Sequence, residues 1–189
     1  EEDPGSLPVA IKLMKDSETL DGQSKERFQQ EIKVSLSLDH PNLVKVYDWG
    51  ESDDGRLYLA TEFLDGVTLR ELMSAQPVDV ARICEILQSL GGALEYLHRQ
   101  GLVHRDVKPD NLLLTRSAEA RLIDFSLACK INQRHRIIQG TRSYIAPETI
   151  KKKKAVPQTD MYSLGVTLYE VLTGQLPFTG ASPTDLLKR

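Results

Sequence analysis

Cysteine is scarce in this 189-residue sequence, which contains only Cys84 and Cys129, far apart and in no metal-ligand spacing. We therefore expect no disulfide framework, which suits a reducing cytosol. Long apolar runs are also missing, since none approaches the ~20 residues that a membrane span needs, and no signal peptide is recognisable. These absences predict a cytoplasmic domain. The first residue is Glu1 rather than Met, which leaves open a membrane anchor outside this sequence.

Charge of one sign is not in excess either. The 24 lysines and arginines nearly balance the 27 aspartates and glutamates, giving a net charge of −3 at pH 7. This balance predicts no general attraction to nucleic acid or to anionic membranes. The hydrophobic share of 40% and the charged share of 27% are typical of a globular domain. The length suits one large domain or two small lobes.

Strand patterns dominate the first third of the chain, with one helix among them. Alternation places Lys12 and Met14 on the same face of the first strand. Helical periodicity places Phe28, Ile32 and Ser35 on one side of the helix. The predicted elements are a strand over 9–14, a helix over about 24–38, and a hairpin of strands over 43–47 and 57–61.

Helical patterns dominate the chain after Thr68. The longest apolar stripe contains Gly91 and Gly92, each of which costs a helix about 1 kcal/mol relative to alanine, so we expect close packing there. Gly174 fits the end of the last helix. The stripes are Ile83, Ile86, Leu87, Leu90, Leu94 and Leu97 in the first long helix and Met161, Leu164, Leu168, Val171 and Leu172 in the last.

A second short hairpin is predicted between Asn111 and Asp124. These two residues flank its strands, and antiparallel pairing brings them side by side. A carboxylate and an amide oxygen suit Mg²⁺, which prefers oxygen ligands. Asp106 and Lys108 lie in the loop just before the hairpin. Such a set suits the handling of a phosphoryl group, whose transfer needs positioning and charge neutralisation more than covalent help.

The segment 104–111, His-Arg-Asp-Val-Lys-Pro-Asp-Asn, resembles the catalytic loop of protein kinases. One such motif would be weak evidence, but further matches follow in the family's order. They are Val9-Ala10-Ile11-Lys12, Glu31, Asp124-Phe125-Ser126, Ala146-Pro147-Glu148 and Asp160. The resemblance covers nearly the whole chain. Lys108 with Gly140-Thr141 resembles the Ser/Thr type, and the sequence is similar to the bacterial Ser/Thr protein kinases.

The resemblance implies an α+β, two-lobed protein kinase-like fold. Residues 1–61 would form part of an N-lobe with a small antiparallel sheet and one helix, 62–66 a hinge, and 67–189 part of a mainly helical C-lobe. The family's Gly-rich loop is not among the eleven residues before Lys12, and the chain stops at Arg189, a few residues into a further predicted helix. We therefore expect a partial catalytic domain, truncated at both ends, that binds ATP weakly and folds marginally.

Catalytic roles are implied by the resemblance, residue by residue. Lys12 is expected to hold the α- and β-phosphates and to be kept in place by an ion pair with Glu31. Asp106 is expected to orient the acceptor hydroxyl and take its proton, while Lys108 neutralises charge on the transferring group.

The implied cofactors are ATP and Mg²⁺, with Asn111 and Asp124 as metal ligands. The adenine site is implied to consist of Ala10 as its roof, Leu113 as its floor, the backbone of Glu62 and Leu64 as hinge hydrogen-bonding groups, and Thr61 as a small gatekeeper. The implied partners are proteins with serine or threonine acceptors, and members of this kind often form homodimers.

Other noticeable residues are expected to be structural. We predict that His104 and Phe125 pack beneath the catalytic loop, and that Cys84 fills apolar space in the long helix. The four lysines 151–154 are predicted to form a solvated loop, with docking of acidic partners as the less favoured alternative.

Three positions depart from the family pattern. Ser126 replaces a glycine, so we expect an effect on the conformation of the triplet that contains Asp124. Ser35 stands where an apolar residue usually packs, which predicts a looser alignment of Glu31. Glu148 pairs in the family with an arginine on a later helix, which this sequence does not contain.

The segment 127–139 contains no serine, threonine or tyrosine. In the family, the arginine at the position of Arg105 often binds a phosphorylated residue of this segment. We therefore hypothesise that phosphorylation of this segment does not switch the protein. Phosphosite mapping that finds a strongly activating site at Thr141 or Ser143 would contradict the wider form of this hypothesis.

Three functions remain open from the sequence. The first is an active Ser/Thr protein kinase. The second is a pseudokinase or scaffold module, which Ser126, Ser35 and the missing Gly-rich loop keep open. The third is a small-molecule kinase of the antibiotic phosphotransferase kind, although such enzymes generally lack the segment matched by 146–148.

Overall fold

The computed structural model describes residues 8–14, 22–75, 78–134 and 140–179, which form an α+β fold as predicted. The strands are β1 (Val9–Leu13), β2 (Val46–Glu51), β3 (Leu57–Glu62), β4 (Gly66–Thr68), β5 (Leu102–Val103), β6 (Leu112–Thr115), β7 (Ala120–Leu122) and β8 (Cys129–Lys130). The α-helices are α1 (Gly22–Ser35), α2 (Leu69–Ala75), α3 (Val80–Arg99), α4 (Pro147–Ile150) and α5 (Pro157–Thr173), with 3₁₀ turns at Pro109–Asn111 and Arg142–Tyr144.

The first sheet is antiparallel and has the strand order β1-β3-β2. The predicted alternation in β1 is confirmed, because Met14 is buried just beyond the strand while the opposite face, with Ile11 55% exposed, is open. The predicted hairpin of β2 and β3 is confirmed as well. Residues from α1 and from this sheet share a small core, which consists of Met14, Phe28, Ile32, Leu57 and Leu59.

The rest of the described chain is mainly helical and is built around α3 and α5. Asp79 caps α3, since its carboxylate accepts hydrogen bonds from the backbone N–H groups of Ala81 and Arg82. The predicted apolar stripe of α3 is buried, apart from the partly buried Leu87. The predicted hairpin of β6 and β7 is confirmed, with Leu112 opposite Leu122. No helix in the described ranges is both long enough and apolar enough to cross a membrane.

The stretch 42–44 joins the first sheet to the larger helical part. The apolar run predicted as a strand from residue 43 is divided here, because β2 begins only at Val46 and Leu43 instead bridges Leu122 of β7. The Val44 N–H donates to the Leu122 carbonyl at 2.9 Å, and the Leu122 N–H donates to the Asn42 carbonyl at 2.9 Å. The Asn42 side-chain amide adds a bond to the Ala120 carbonyl at 2.9 Å. The two parts are therefore tied together here by backbone pairing.

Several predicted details are wrong. Helix α1 ends at Ser35 rather than near residue 38, because the Ser37 hydroxyl bonds the Val34 carbonyl and the chain turns. Cys84 is exposed and fills no apolar space. In α5, Met161 and Leu172 are 53% and 50% exposed. The buried face of α5 is instead largely polar, since it holds Thr159, Asp160, Ser163, Thr167 and Glu170.

The prediction of close packing at Gly91 and Gly92 is also wrong. A Cβ atom built at either position meets no atom of the described residues within 4 Å, apart from the adjoining backbone of its own helix. Helix α3 therefore carries two glycines whose conformational cost is not offset by a close contact.

Replacing Gly91 or Gly92 with alanine should raise the free energy of unfolding by about 1 kcal/mol each, since alanine loses less entropy in a helix. Urea denaturation measures the change. Gly174→Ala is the opposite control, because Gly174 has a φ of 70° and alanine there should be destabilising. A loss of stability at Gly91 and Gly92 would mean that both positions need glycine after all.

Candidate active site

Lys12 lies between two carboxylates from distant parts of the chain. Its Nζ is 2.6 Å from Glu31 Oε1 on α1 and 3.1 Å from Asp124 Oδ1 just after β7. Strand pairing fixes Lys12 opposite Leu59, while Glu31 is buried on the inner face of its helix. The ion pair of Lys12 and Glu31 that was expected from the resemblance is therefore formed, and Asp124 joins it.

The three charges shift one another. Burial alone would lower the pKa of Lys12, but the facing Glu31 and Asp124 outweigh burial, and the pKa is raised. Burial raises the pKa of Glu31, against the influence of Lys12. Burial also acts to raise the pKa of Asp124, yet Lys12 and hydrogen bonds from Ser126 prevail and lower it. The ammonium of Lys12 and the carboxylate of Asp124 thus favour each other's charged form.

Asp106 is almost fully buried, and both of its carboxylate oxygens accept hydrogen bonds. Its Oδ2 accepts from Lys108 Nζ at 2.7 Å and from Asn111 Nδ2 at 2.9 Å. Its Oδ1 accepts from the Thr141 backbone N–H at 3.3 Å and from the Thr141 hydroxyl at 3.4 Å. Lys108 also donates to Thr141 Oγ1 at 2.7 Å. The Asp106 carboxylate, the Lys108 ammonium and the Thr141 hydroxyl are therefore in mutual contact.

Asn111 and Asp124 are neighbours across the β6–β7 hairpin. The Ile123 N–H donates to the Asn111 carbonyl at 3.1 Å, one residue before Asp124. The side-chain amide nitrogen of Asn111 is bonded to Asp106, so its oxygen is the atom suited to a metal. One carboxylate oxygen and one amide oxygen match the few oxygen ligands that Mg²⁺ takes from protein. In the described ranges, no cluster of three or more histidine, cysteine or acidic residues has metal-site geometry.

A buried carboxylate supports the catalytic loop from below. Asp160 is 0% exposed and accepts from the backbone N–H groups of His104 at 2.9 Å and Arg105 at 2.7 Å. The ring of His98 lies 2.8 Å from the same carboxylate. His104 packs edge-on against Phe125 with ring centroids 5.5 Å apart, and burial lowers the pKa of His104. The structural roles predicted for His104 and Phe125 are confirmed.

The residues expected around adenine lie on two sheets. Ala10 and Thr61 are direct partners across β1 and β3, and Glu62 ends β3. Leu64 is partly buried against the main core. Leu113, in the central strand of the second sheet, is paired with Thr68 on one side and Arg121 on the other.

A polar cluster that sequence reasoning missed centres on Arg70. Its guanidinium donates to Glu170 Oε1 at 2.7 Å, to the Tyr144 hydroxyl at 2.5 Å and to Asp110 Oδ2 at 3.4 Å. The Tyr144 hydroxyl in turn donates to Glu170, and burial raises the pKa of this phenol. Four elements are joined here. Their sequence separation, up to 100 residues, left no local pattern that could have signalled the cluster.

The structure shows the contacts of Ser126, Glu148 and Ser35, the three positions discussed above as departures from the family pattern. Ser126 has no positive φ, so serine is not strained there; its N–H donates to Asp124 Oδ1 at 3.0 Å. The Glu148 carboxylate accepts from the Thr159 hydroxyl at 2.7 Å. Ser35 is 2% exposed, and among the described residues its hydroxyl has no hydrogen-bond partner.

Ser35→Ala should raise the free energy of unfolding by about 1 kcal/mol, because a buried hydroxyl without a partner costs about that much or more. Chemical denaturation measures this directly. Ser37→Ala is the matched control, since the Ser37 hydroxyl is bonded to Val34 at 2.7 Å and its loss should be neutral or destabilising. Destabilisation by Ser35→Ala would show that the hydroxyl has a partner in solution.

Comparison with known proteins places this geometry in a family. The chain belongs to the protein kinase domain family, whose model matches residues 3–189. It is 41% identical over 186 residues to Serine/threonine-protein kinase PknL of Mycobacterium tuberculosis strain H37Rv, covering 95% of this chain and 46% of that protein.

Two further relatives are similar at lower identity. Serine/threonine-protein kinase PknB of the same strain is 36% identical over 189 residues, covering 94% of this chain and 30% of PknB. Serine/threonine-protein kinase PrkC of Bacillus subtilis strain 168 is 33% identical over 183 residues, covering 94% of this chain and 28% of PrkC. The chain therefore spans less than half the length of each of these relatives.

Proposed function

We propose that this domain transfers the γ-phosphoryl group of ATP to serine or threonine hydroxyls of proteins. The observation that carries the proposal is the arrangement around Asp106. This buried carboxylate is held by Lys108, Asn111 and Thr141 at 2.7–3.4 Å. Membership of the protein kinase domain family and the names of the relatives support the same reaction.

In this proposal, Asp106 orients the acceptor hydroxyl and receives its proton, acting as a general base. Lys108, 2.7 Å from Asp106, neutralises negative charge on the transferring group. Lys12, kept charged by Glu31 and Asp124, holds the α- and β-phosphates. Positioning and charge neutralisation are the main requirements of phosphoryl transfer, and these side chains supply both.

Mg²⁺ is the metal that we expect, with Asn111 and Asp124 as its protein ligands. When bound, Mg²⁺ neutralises charge on the nucleotide phosphates. The lowered pKa of Asp124 keeps this carboxylate ionised and therefore ready to bind a cation.

For the nucleotide base, we propose a site between the two lobes. Ala10 and Leu113 are its apolar roof and floor, and Thr61 is the small residue at its back. The backbone of Glu62 and Leu64 supplies the hydrogen bonds, which makes 62–66 the hinge between an N-lobe over 1–61 and a C-lobe over 67–189. We assign the domain to the cytoplasm, where free thiols such as Cys84 and Cys129 stay reduced.

The pseudokinase alternative is the weaker one. It rested on Ser126, Ser35 and the missing Gly-rich loop, but Ser126 adopts an unstrained backbone and bonds Asp124. The ion pair of Lys12 with Glu31, 2.6 Å long, is formed despite Ser35. These contacts favour an active phosphotransferase.

The test is Mg²⁺-dependent transfer from labelled ATP by the full-length protein. Acceptors are the protein itself, a generic protein substrate and an aminoglycoside. Labelled phosphoserine or phosphothreonine is the expected product. Transfer to the aminoglycoside alone would support a small-molecule kinase, and a folded protein that binds ATP without any transfer would support a pseudokinase.

A further inference from the structure

A basic groove is formed by residues on either side of Thr141, the residue that contacts Asp106. It is a shallow, open site with a volume of about 580 Å³. Its lining consists of Asn132, Arg134, Glu148, Lys151, Lys152, Lys153, Lys154 and Val156. All four lysines and Arg134 are exposed in the described part of the chain.

Backbone pairing fixes the two sides of the groove relative to each other. The Asn132 N–H donates to the Ala155 carbonyl at 2.8 Å, and the Ala155 N–H donates to the Gln133 carbonyl at 3.0 Å. Arg134 and Lys154 face each other in an antiparallel bridge. The main-chain pairing therefore holds the cationic residues Arg134 and Lys154 next to each other.

The sequence that contains the basic groove has an excess of positive charge. From residue 130 to residue 158 the sequence has eight lysines and arginines and one acidic residue, Glu148. The remainder has 16 basic and 26 acidic residues, which gives it a net charge of −10. The Glu148 carboxylate accepts a hydrogen bond from Thr159, and neither Arg134 nor any of the four lysines forms an ion pair in the described part of the chain.

The basic groove is within reach of a peptide whose acceptor hydroxyl lies at Asp106. Thr141 bonds Asp106, and Lys151 follows Thr141 by ten residues. A fully extended chain of that length spans at most about 36 Å. The intervening segment contains a 3₁₀ turn and α4, so the true separation is shorter. An extended substrate of about ten residues can therefore contact both places.

We propose that the basic groove binds an acidic segment, rich in aspartate and glutamate, of the protein substrate. This inference rests on the proposed kinase function and specifies its substrate class. The positive charges of the four lysines and Arg134 repel one another. A carboxylate-rich segment bound among them would offset this repulsion and would itself be attracted to the groove. A peptide is favoured over a nucleic acid because the groove lies on the segment that contacts the catalytic loop, whereas the whole chain has a net charge of −3.

The experiment compares two peptides as substrates of the full-length protein. Each has a single threonine acceptor, flanked on both sides at about ten residues by blocks of glutamates in one peptide and of glutamines in the other. The glutamate peptide should have a KM lower by about tenfold, the combined effect expected from a few exposed charge pairs. This advantage should shrink as salt is raised, since exposed charges are screened.

The groove variant is Lys151→Ser, Lys153→Ser and Lys154→Ser together. Lys152 is left unchanged because its φ is 52°. The matched control removes two lysines of α1 and one just before β2, by Lys25→Ser, Lys33→Ser and Lys45→Ser. The groove variant should treat both peptides alike, while the control should keep the preference of the parent protein.

Binding is measured separately from catalysis, by fluorescence anisotropy of the labelled peptides. The glutamate peptide should bind the parent and the control more tightly than the groove variant, and ATP binding checks that each variant is folded. Equal KM values for both peptides with the parent would overturn the groove inference and leave the kinase function intact. Absence of any phosphate transfer from a folded, ATP-binding parent would instead contradict the kinase function, while the anisotropy still tests the groove.

Discussion

Replacing Asp106 with asparagine should lower kcat for phosphate transfer by about a thousandfold, the scale expected for loss of a general base. Asparagine has nearly the same shape, but it cannot accept the hydroxyl proton. Its amide would also place a donor toward Lys108, Asn111 or Thr141, all of which donate to Asp106. Steady-state kinetics with labelled ATP measure kcat, and equilibrium binding of ATP should change little.

The matched control is Asp110→Asn in the same loop. Asp110 is 49% exposed at its side chain, and its one ion pair within the described residues is a 3.4 Å contact to Arg70. Its replacement should change kcat by no more than about threefold, because an exposed ion pair contributes little. If Asp106→Asn retains most of the parent activity, the assignment of Asp106 as the base is wrong.

Replacing Asp160 with asparagine should destabilise the protein by about 3–5 kcal/mol, the cost of breaking a buried charged network. The Asp160 carboxylate is 0% exposed and accepts from two backbone N–H groups at the start of the catalytic loop. An asparagine side chain has one oxygen, so its NH₂ group would meet a donor. Chemical denaturation measures the loss, and activity should fall with it because the loop carrying Asp106 loses its support.

Asp79→Asn is the control for this variant. Asp79 also accepts from two backbone N–H groups, but it is an exposed helix N-cap, where asparagine is as good as aspartate. We expect a change within about 0.5 kcal/mol. Equal effects of the two substitutions would mean that the buried hydrogen bonds of Asp160 contribute nothing beyond those of an ordinary cap.

Local patterns predicted most of the fold because each depends on near neighbours in sequence. Alternation identified β1, and short apolar runs identified the strands of both hairpins. The same reasoning predicted helix α5 but not its buried face, which is occupied largely by polar side chains. Ser163 shows why: its hydroxyl bonds the Tyr144 carbonyl at 2.8 Å, a partner that hydrophobic periodicity cannot anticipate.

In the candidate site, too, some residues could be predicted from the sequence and others could not. Motif resemblance identified Lys12 and Glu31, which lie 2.6 Å apart. It used Thr141 only as a marker of the Ser/Thr type, although Thr141 bonds both Asp106 and Lys108. Contacts of this kind depend on where a chain passes after folding, so no sequence spacing predicts them.

The pairing of 42–44 with β7 has a mechanical consequence. The small sheet connects to the larger part through the chain at 62–66 and also through the hydrogen bonds of Asn42 and Val44. Because these two attachments lie apart, they restrain rotation of the small sheet about the line through them less than they restrain any twist across that line. Lys12 lies in β1 of the small sheet, whereas Asp124 follows β7 in the larger part. Rotation about that line would change the distance between Lys12 and Asp124, so their 3.1 Å ion pair and the burial of Val34 in the main core oppose it.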